Sequence, residues 1–402
     1  MNILFVKKLY SPVGGSEVLT YQLATRLAAR GHRVRVLSLW PAGERYDFPP
    51  LSSLALVYPT HRLFVHEGVE LYQLRPRWGA LGQALDVLAP FNLLRYEVAR
   101  ELARGFDLVH NVCREYAAAA LRLARESGAC FVATPLPHPG QLWGGTWRGD
   151  LAIYRQADAV IALSEAERAW YVGWGVDETR VRVIGLGPTL KAPGDGAAFR
   201  RRYGLDGPVI LFVGRKEPYK GVGALAAAAP LVWRHHPDAR FVFVGEDSAI
   251  CPLWDPLRGR KDPRLVNLPA LGEADKADAF AACDVFCVPS RHETFGLVYA
   301  EAWFCGKPVV AGDIPPLRSI VDDGVDGLLV RQRPREIAER IVWLLDNPAL
   351  ARRMGEAGQR KVARRYNWER TIAETEDLYS KLLAGAFGER RPAAPSLSAS
   401  SP

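Results

Sequence analysis

Two glutamates eight positions apart, Glu293 and Glu301, bracket "ETFGLVYAE" inside sequence otherwise suited to burial. A carboxylate accepts hydrogen bonds on two oxygens and so matches a vicinal diol. Left unpaired among apolar neighbours it is costly, which argues against two merely solvated side chains. A helix starting near Phe295–Gly296 would carry the chain from one to the other at about 1.5 Å per residue, roughly 12 Å, near the reach of a diphosphate joining a sugar to a ribose. Its first amide N–H groups, at Gly296 and Leu297, would meet phosphate oxygens between the carboxylates. Glu301 then suits ribose hydroxyls, and Glu293 those of a second sugar.

The opposite charge lies in "GRKEPYKG", where Arg215 and Lys220 share one loop and can converge on a diphosphate from two sides. The helix expected from near Gly221 adds its dipole. Lys216 is set aside, because adjacent residues point apart. Near the amino terminus, Gly14 and Gly15 in "VGGSE" remove side chains ahead of a helix, letting backbone approach a phosphate or a reacting sugar. Neither loop reads GxGxxG and no GxxxxGK[ST] is present, so nicotinamide and NTPase chemistry lose support.

The elements that must position these residues follow from the apolar pattern. "NILFV" reads as a buried strand, Ser16 as the cap of the helix through "VLTYQLATRLAARGH", Gly31 as its stop and "RVRVLSL" as the next strand. Such a unit predicts a parallel sheet covered by helices on both faces. Residues 41 to about 100, with Pro90 among them, read as loops and one or two helices. The alternation resumes from "FDLVHNV" to "VRVIG". A second series opens at "GPVILFVGRKEPYKG" and runs through a helix to about His236, "ARFVFVGED", a helix near "KADAFAACD", "VFCVPS", the helix of Glu301, "PVVAG" and "GLLV".

The fold class is therefore α/β, with two doubly wound, Rossmann-like domains at 1–187 and 205–366. A Gly- and Pro-rich hinge at 188–204 joins them. Helices near 334–366 and 368–385 precede a small-residue tail, 388–402, expected to be disordered. In open α/β sheets ligands bind at the carboxyl ends of the strands, where both glycine loops fall.

Bulk properties narrow the partners. At 402 residues the chain exceeds one ordinary core, which agrees with two domains. Hydrophobic residues at 49% and charged residues at 24% exclude a fibrous or wholly disordered protein. The net charge of +8 is scattered, favouring small anionic ligands or an anionic membrane surface over nucleic acid, with plain solubility as the simpler alternative. Six cysteines without a C-x-x-C pair read as free thiols of a reducing cytosol. The sequence shows neither a signal peptide nor a run of roughly 20 apolar residues, so the expectation is a cytoplasmic protein, with any membrane contact peripheral and at the inner face. No D-x-D pair with apolar flanks suggests a metal, and "VDDGVD" reads as a turn.

With "CDVFCVPSRH" before it and "GKPVVAGDIPPLRSIVDDGVDGLLV" after it, "ETFGLVYAE" resembles the donor site of the retaining glycosyltransferases of family four, which have the GT-B fold. "GRKEPYKG", "YRQADAVIALSEAE", "RVRVIGLG" and "GGSE" fit as well, and the likeness runs from Asn2 to about Leu383. It implies domains facing each other across a cleft, and retaining transfer of a sugar from a nucleoside-diphosphate sugar to a hydroxyl acceptor, without a metal or separate cofactor. Position by position it implies Arg215 and Lys220 on the donor diphosphate, Glu293 on the donor sugar and Glu301 on the ribose. Phe295, Gly296 and Leu297 would lie along the donor, and Gly15, beside Gly14, would border the phosphates. The helix after Tyr366–Trp368 would cross back to the amino-terminal domain.

The family also places a catalytic histidine beside the anomeric carbon, and "ATPLPHPG" offers His138, with His110 in "LVHNV" as a rival. Pro139 follows His138 where relatives more often have Gly or an acid, and Ser319 stands where many have Glu. His138 would orient the sugar while the leaving phosphate takes the acceptor's proton. Trp78, Trp143 and Trp147, set among glycines and arginines, suit stacking on a sugar or resting on a lipid headgroup. The acceptor stays open between glycan, lipid-linked saccharide and small metabolite. The competing readings are a sugar-nucleotide epimerase or hydrolase of the same fold, and a catalytically silent nucleotide-sugar-binding homologue.

Overall fold

The computed structural model describes residues 1–12, 14–39, 61–74, 96–141, 144–247, 257 and 262–385. The chain divides into two compact units. The first comprises Met1–Leu163, Glu167–Ile184 and the helical residues from Ile372; the second comprises Ser164–Ala166 and Gly185–Thr371.

In the first unit the run Asn2–Val6, apolar from Ile3 onward, forms β1 at the centre of an eight-stranded sheet. It is flanked by β2 (Arg33–Leu39) on one side and β5 (Leu108–Val112) on the other, with Ile3 paired to both Val34 and Leu108. Strands covered on both faces read as continuous hydrophobic runs, and β1 and β5 are buried almost throughout. With β3 (His61–His66), β4 (Val69–Leu74), β6 (Cys130–Thr134), β7 (Ala159–Ala162) and β8 (Val181–Val183), the order is β3-β4-β2-β1-β5-β6-β7-β8. All neighbours are parallel except the β3–β4 hairpin.

That hairpin lies where loops and helices were expected. Its two-residue turn puts Glu67 at φ 48° and Gly68 at φ 76°, the left-handed pair that matches strand twist. One helix of that region, α2 (Tyr96–Leu102), is seen; Pro90 and the rest of 41–60 and 75–95 lie outside the described residues. Helix α1 (Gly15–Ala29) ends just before Gly31, at φ 86°, as the sequence suggests. Its start differs: Gly14 is the N-cap and no side chain caps it. Ser16 lies inside the first turn and donates its hydroxyl to Glu17 instead.

The second unit holds an all-parallel six-stranded sheet in the order β11-β10-β9-β12-β13-β14. The strands are β9 (Val209–Val213), β10 (Arg240–Val244), β11 (Leu265–Leu268), β12 (Val285–Val288), β13 (Val309–Gly312) and β14 (Gly327–Val330). Three boundaries depart from expectation. The stretch 188–204 contains α3 (Gly196–Tyr203), N-capped by Asp195 and burying Phe199, so it is folded into this unit. Helix α4 (Val222–Val232) stops short of His236. The helix expected over 334–366 is two, α5 (Pro334–Asp346) and α6 (Pro348–Arg365), because Pro348 has no N–H to continue the first and starts the second.

In each sheet the first strand is the place where strand order reverses, at β1/β5 and at β9/β12. Such a switch point leaves a crevice outside the strand ends, where open α/β sheets take their ligands. The final helix, α7 (Trp368–Leu383), contributes to both units. In the second, Trp368 Nε1 donates to the Pro188 carbonyl at 2.8 Å and Thr371 to that of Gly185 at 2.7 Å. In the first, Glu376 pairs with Arg30 and His32, and Tyr379 is buried against His110. The tail 388–402 lies outside the described residues. No helix among those described is long and apolar enough to cross a membrane.

Candidate functional site

The loop after β9 and the loop after β12 flank the switch point of the second unit and are tied together. Tyr219 of the first accepts the Arg291 amide of the second at 2.8 Å. The Gln332 amide bonds the carbonyls of both Tyr219 and Pro289, at 3.0 and 2.9 Å. Gly221 closes the first loop at φ 86°, and a Cβ there would lie 2.7 Å from the Pro289 ring, so only glycine permits this approach.

On this frame Lys220 forms an ion pair with Glu293. Glu293 is only 6% exposed, and its Oε1 also accepts the Ser290 hydroxyl at 3.1 Å. Arg215 is exposed and bonds the Tyr219 hydroxyl at 3.2 Å, while the Lys220 ammonium sits 5.5 Å from the centre of the same ring. One tyrosine thus touches both cations. Lys216, set aside on the sequence, is buried and engaged by Asp247 at 3.1 Å and the Leu268 carbonyl at 2.9 Å.

Two further helices, Glu273–Ala282 and Leu297–Phe304, complete the site. Gly296 is the N-cap of the latter at φ 76°, with a would-be Cβ 2.5 Å from the Tyr299 ring. The helix thus begins one turn after Glu293, so the two glutamates are joined by a loop and one turn of helix rather than by eight residues of helical rise. Phe295 is 1% exposed and packs edge-on against Tyr366, centroids 5.1 Å apart, which restricts any ligand contact there to its backbone. Glu301 is buried, and its Oε1 receives Thr189 and, at 2.7 Å, Lys276. Neither Thr189 nor Lys276 was singled out from the sequence. The only available signal was Lys276 as the one basic residue of an acidic helix.

At the switch point of the first unit, Gly14 has φ 110°, where any other residue is strained, while the nearest obstacle to a Cβ is the movable Glu17 carboxylate at 2.5 Å. Gly15 opens α1, exposed and with nothing within 4 Å of where a Cβ would sit. Beneath lies a cluster the sequence did not reveal. Buried Lys7 contacts Ser16 at 2.8 Å, the Cys113 sulfur at 3.0 Å and Glu17 at 3.5 Å. Burial alone would lower the Lys7 pKa, but Cys113, Glu17 and Glu115 outweigh it and hold it above the ordinary lysine value. Burial pushes the Cys113 thiol up to about 11 against the pull of Lys7, so the thiol is protonated at neutral pH and the glutamates supply the counter-charge.

His138 follows β6, half-buried, its amide donating to the Gly144 carbonyl at 2.8 Å. Bulky residues at positive φ store strain of order 1–3 kcal/mol and gather at functional loops. Here Cys113 (71°) and Tyr116 (61°) follow β5, and Leu136 (54°) precedes His138. His110 is a different case. Its Nδ1 faces Tyr379 at 2.6 Å and its Nε2 faces Thr134 at 2.8 Å, and burial pulls its pKa down to about 3. Both ring nitrogens are occupied, which makes it a structural histidine and removes it as a rival. Ser319 donates to the Pro315 carbonyl at 3.1 Å and accepts the Ala166 amide at 3.2 Å. Trp147 is exposed with Arg114 5.7 Å from its ring; Trp78 and Trp143 lie outside the described residues. Among the described residues, no group of three or more His, Cys, Asp or Glu is placed to hold a metal.

Two family models cover these loops: Glycosyltransferase Family 4 over residues 13–191, and Glycosyl transferases group 1 over 207–347. A D-inositol 3-phosphate glycosyltransferase of Kineococcus radiotolerans is 30% identical, over 94% of this chain and 92% of the relative. The chain belongs to glycosyltransferase family four. Among solved structures, this family-four glycosyltransferase is similar to sucrose-phosphate synthase of Thermosynechococcus elongatus, with a TM-score of 0.78 at 24% identity, covering 96% of this chain and 100% of the other. It is also similar to HepE of Anabaena in complex with UDP-glucose, with a TM-score of 0.75 at 21% identity, covering 95% and 100%. Both likenesses are of fold, and the fold is GT-B.

Proposed function

We propose that this glycosyltransferase moves a sugar, with retention of anomeric configuration, from a nucleoside-diphosphate sugar to a hydroxyl of a sugar-like acceptor. The observation that carries the reading is the gathering of Arg215, Lys220 and Glu293 on two cross-linked loops at the β9/β12 switch point. As the donor bond breaks, negative charge builds on the leaving diphosphate. Two fixed cations and the amides at the start of the Leu297 helix are suited to receive it without a metal ion or further cofactor. Glu293 then accepts hydroxyls of the transferred sugar and Glu301 those of the ribose. His138 is the residue of the first unit assigned to act on that sugar, and the departing phosphate takes the acceptor's proton.

The names of the relatives order the tests. One similar structure holds UDP-glucose, so uridine donors come first; one relative is named for an inositol phosphate, so phosphorylated polyols lead the acceptors. The experiment is a thermal-shift screen of UDP, GDP and ADP, because a ligand bound only by the folded state raises its melting temperature. NMR of the product made from the winning sugar nucleotide follows. An axial donor giving an axial product supports the reading; an inverted product, or turnover that needs no acceptor, removes it.

A further inference from the structure

Glu301 is the most buried of the charged candidate ligands, with a side chain 2% exposed, and one of its oxygens is doubly engaged. Lys276 Nζ donates to Oε1 at 2.7 Å, and Thr189 donates to the same atom. Lys276 and Thr189 also touch each other at 3.0 Å, closing a three-membered cluster. Among the described residues no hydrogen bond goes to Oε2. A carboxylate's terminal torsion is otherwise broad and two-fold, so two donors on one oxygen fix the plane of the group and the direction of the other oxygen. The ammonium also compensates a charge that burial would otherwise make expensive.

We propose that Lys276 and Thr189 are positioning residues that aim Glu301 Oε2 at the ribose and thereby make the protein choose ribonucleotides over 2′-deoxyribonucleotides. The inference rests on the assignment of Glu301 to the donor ribose. Oε1 has spent its two lone pairs on the protein, so the 2′- and 3′-hydroxyls converge on Oε2 alone. Removing the 2′-hydroxyl then deletes one of two charge-assisted bonds. A carboxylate freed from the clamp turns to follow the remaining hydroxyl, and discrimination drops.

The test is calorimetric titration of the full-length protein with UDP and 2′-deoxy-UDP, with the GDP and ADP pairs run in parallel. The native protein is expected to bind the ribonucleotide about tenfold more tightly, the worth of one hydrogen bond to a charged group. Lys276→Met and Thr189→Val are expected to shrink that ratio to about twofold or less, and Lys276→Arg to restore it. Thr189→Val changes no charge and keeps the test decisive if Lys276→Met folds poorly. A ratio unchanged in both variants overturns the positioning role while leaving the donor assignment standing. If Glu301→Gln binds ribonucleotides as tightly as the native protein, the donor assignment fails and takes the inference with it.

Discussion

Lys220 and Glu293 are each other's counter-ions in a setting where a lone charge is poorly tolerated. Removing one partner of a buried pair costs about 3–5 kcal/mol, because the other is left uncompensated. Lys220→Ala is therefore expected to do two separable things: lower stability by roughly that amount, and reduce turnover by about 10²-fold or more through loss of a donor to the leaving group. Adding Glu293→Gln should recover most of the stability and none of the turnover, as a double-mutant cycle in denaturant melts and initial rates will read. Near-normal turnover by Lys220→Ala defeats the diphosphate assignment. The charged candidates were legible in the sequence because side-chain type alone carries their chemistry. Their partners were not: Thr189 and Glu301 are 112 positions apart, and nothing local records the meeting.

Helix starts and strand ends set the geometry of the site, and Gly221 and Gly296 enforce it. Gly296 has a left-handed backbone and a neighbouring Tyr299 ring in the way of any Cβ. Gly296→Ala is expected to lower stability by about 1–2 kcal/mol from the backbone alone, with more from the clash, and to weaken nucleoside-diphosphate binding. Gly149→Ala is the contrast, since that glycine sits in a helix with ordinary φ and open space, so it should be neutral or stabilising by about 0.5–1 kcal/mol. Thermal melts with and without UDP distinguish the two. Equal effects would show that Gly296 is an ordinary helix start. Element identity was readable wherever strand and helix alternated regularly, since short continuous apolar runs, buried on both faces, give way to longer stretches of helical period. The β3–β4 hairpin was hidden because Glu67, a residue with no turn signature, takes the left-handed position before Gly68.

At the scale of the molecule, two buried groups of the first unit pull stability in opposite directions with pH. His110 is held near 3, below its ordinary 6.5, so between those values the unfolded chain binds the extra proton and stability rises with pH. Glu167, whose carboxylate accepts the Leu163 amide at 2.6 Å, is pushed by burial up to about 8 from 4.5. Between 4.5 and 8 the folded chain binds the extra proton, so stability falls as pH rises. The contributions cancel from about 4.5 to 6.5, leaving a decline above 6.5 of roughly 1.4 kcal/mol per pH unit at most. Glu167→Gln should remove that decline in melts of the full chain taken from pH 6 to 8.5; an unchanged slope would show that Glu167 does not titrate there. Two sheets and a parallel architecture were visible in the sequence as two alternating series. The boundary was not, because α3 at 196–203 looks like linker composition and buries Phe199 all the same.

Helix α7 gives these facts a place in time. The last polar partner of His110 is Tyr379, which leaves the ribosome 269 residues after it. At 5–20 residues per second that is an interval on the order of 10–50 s. Throughout it, the earliest-made half of the protein waits for its closing side chain. A chain that stopped short of Tyr379 would carry an amino-terminal sheet fully translated yet never sealed.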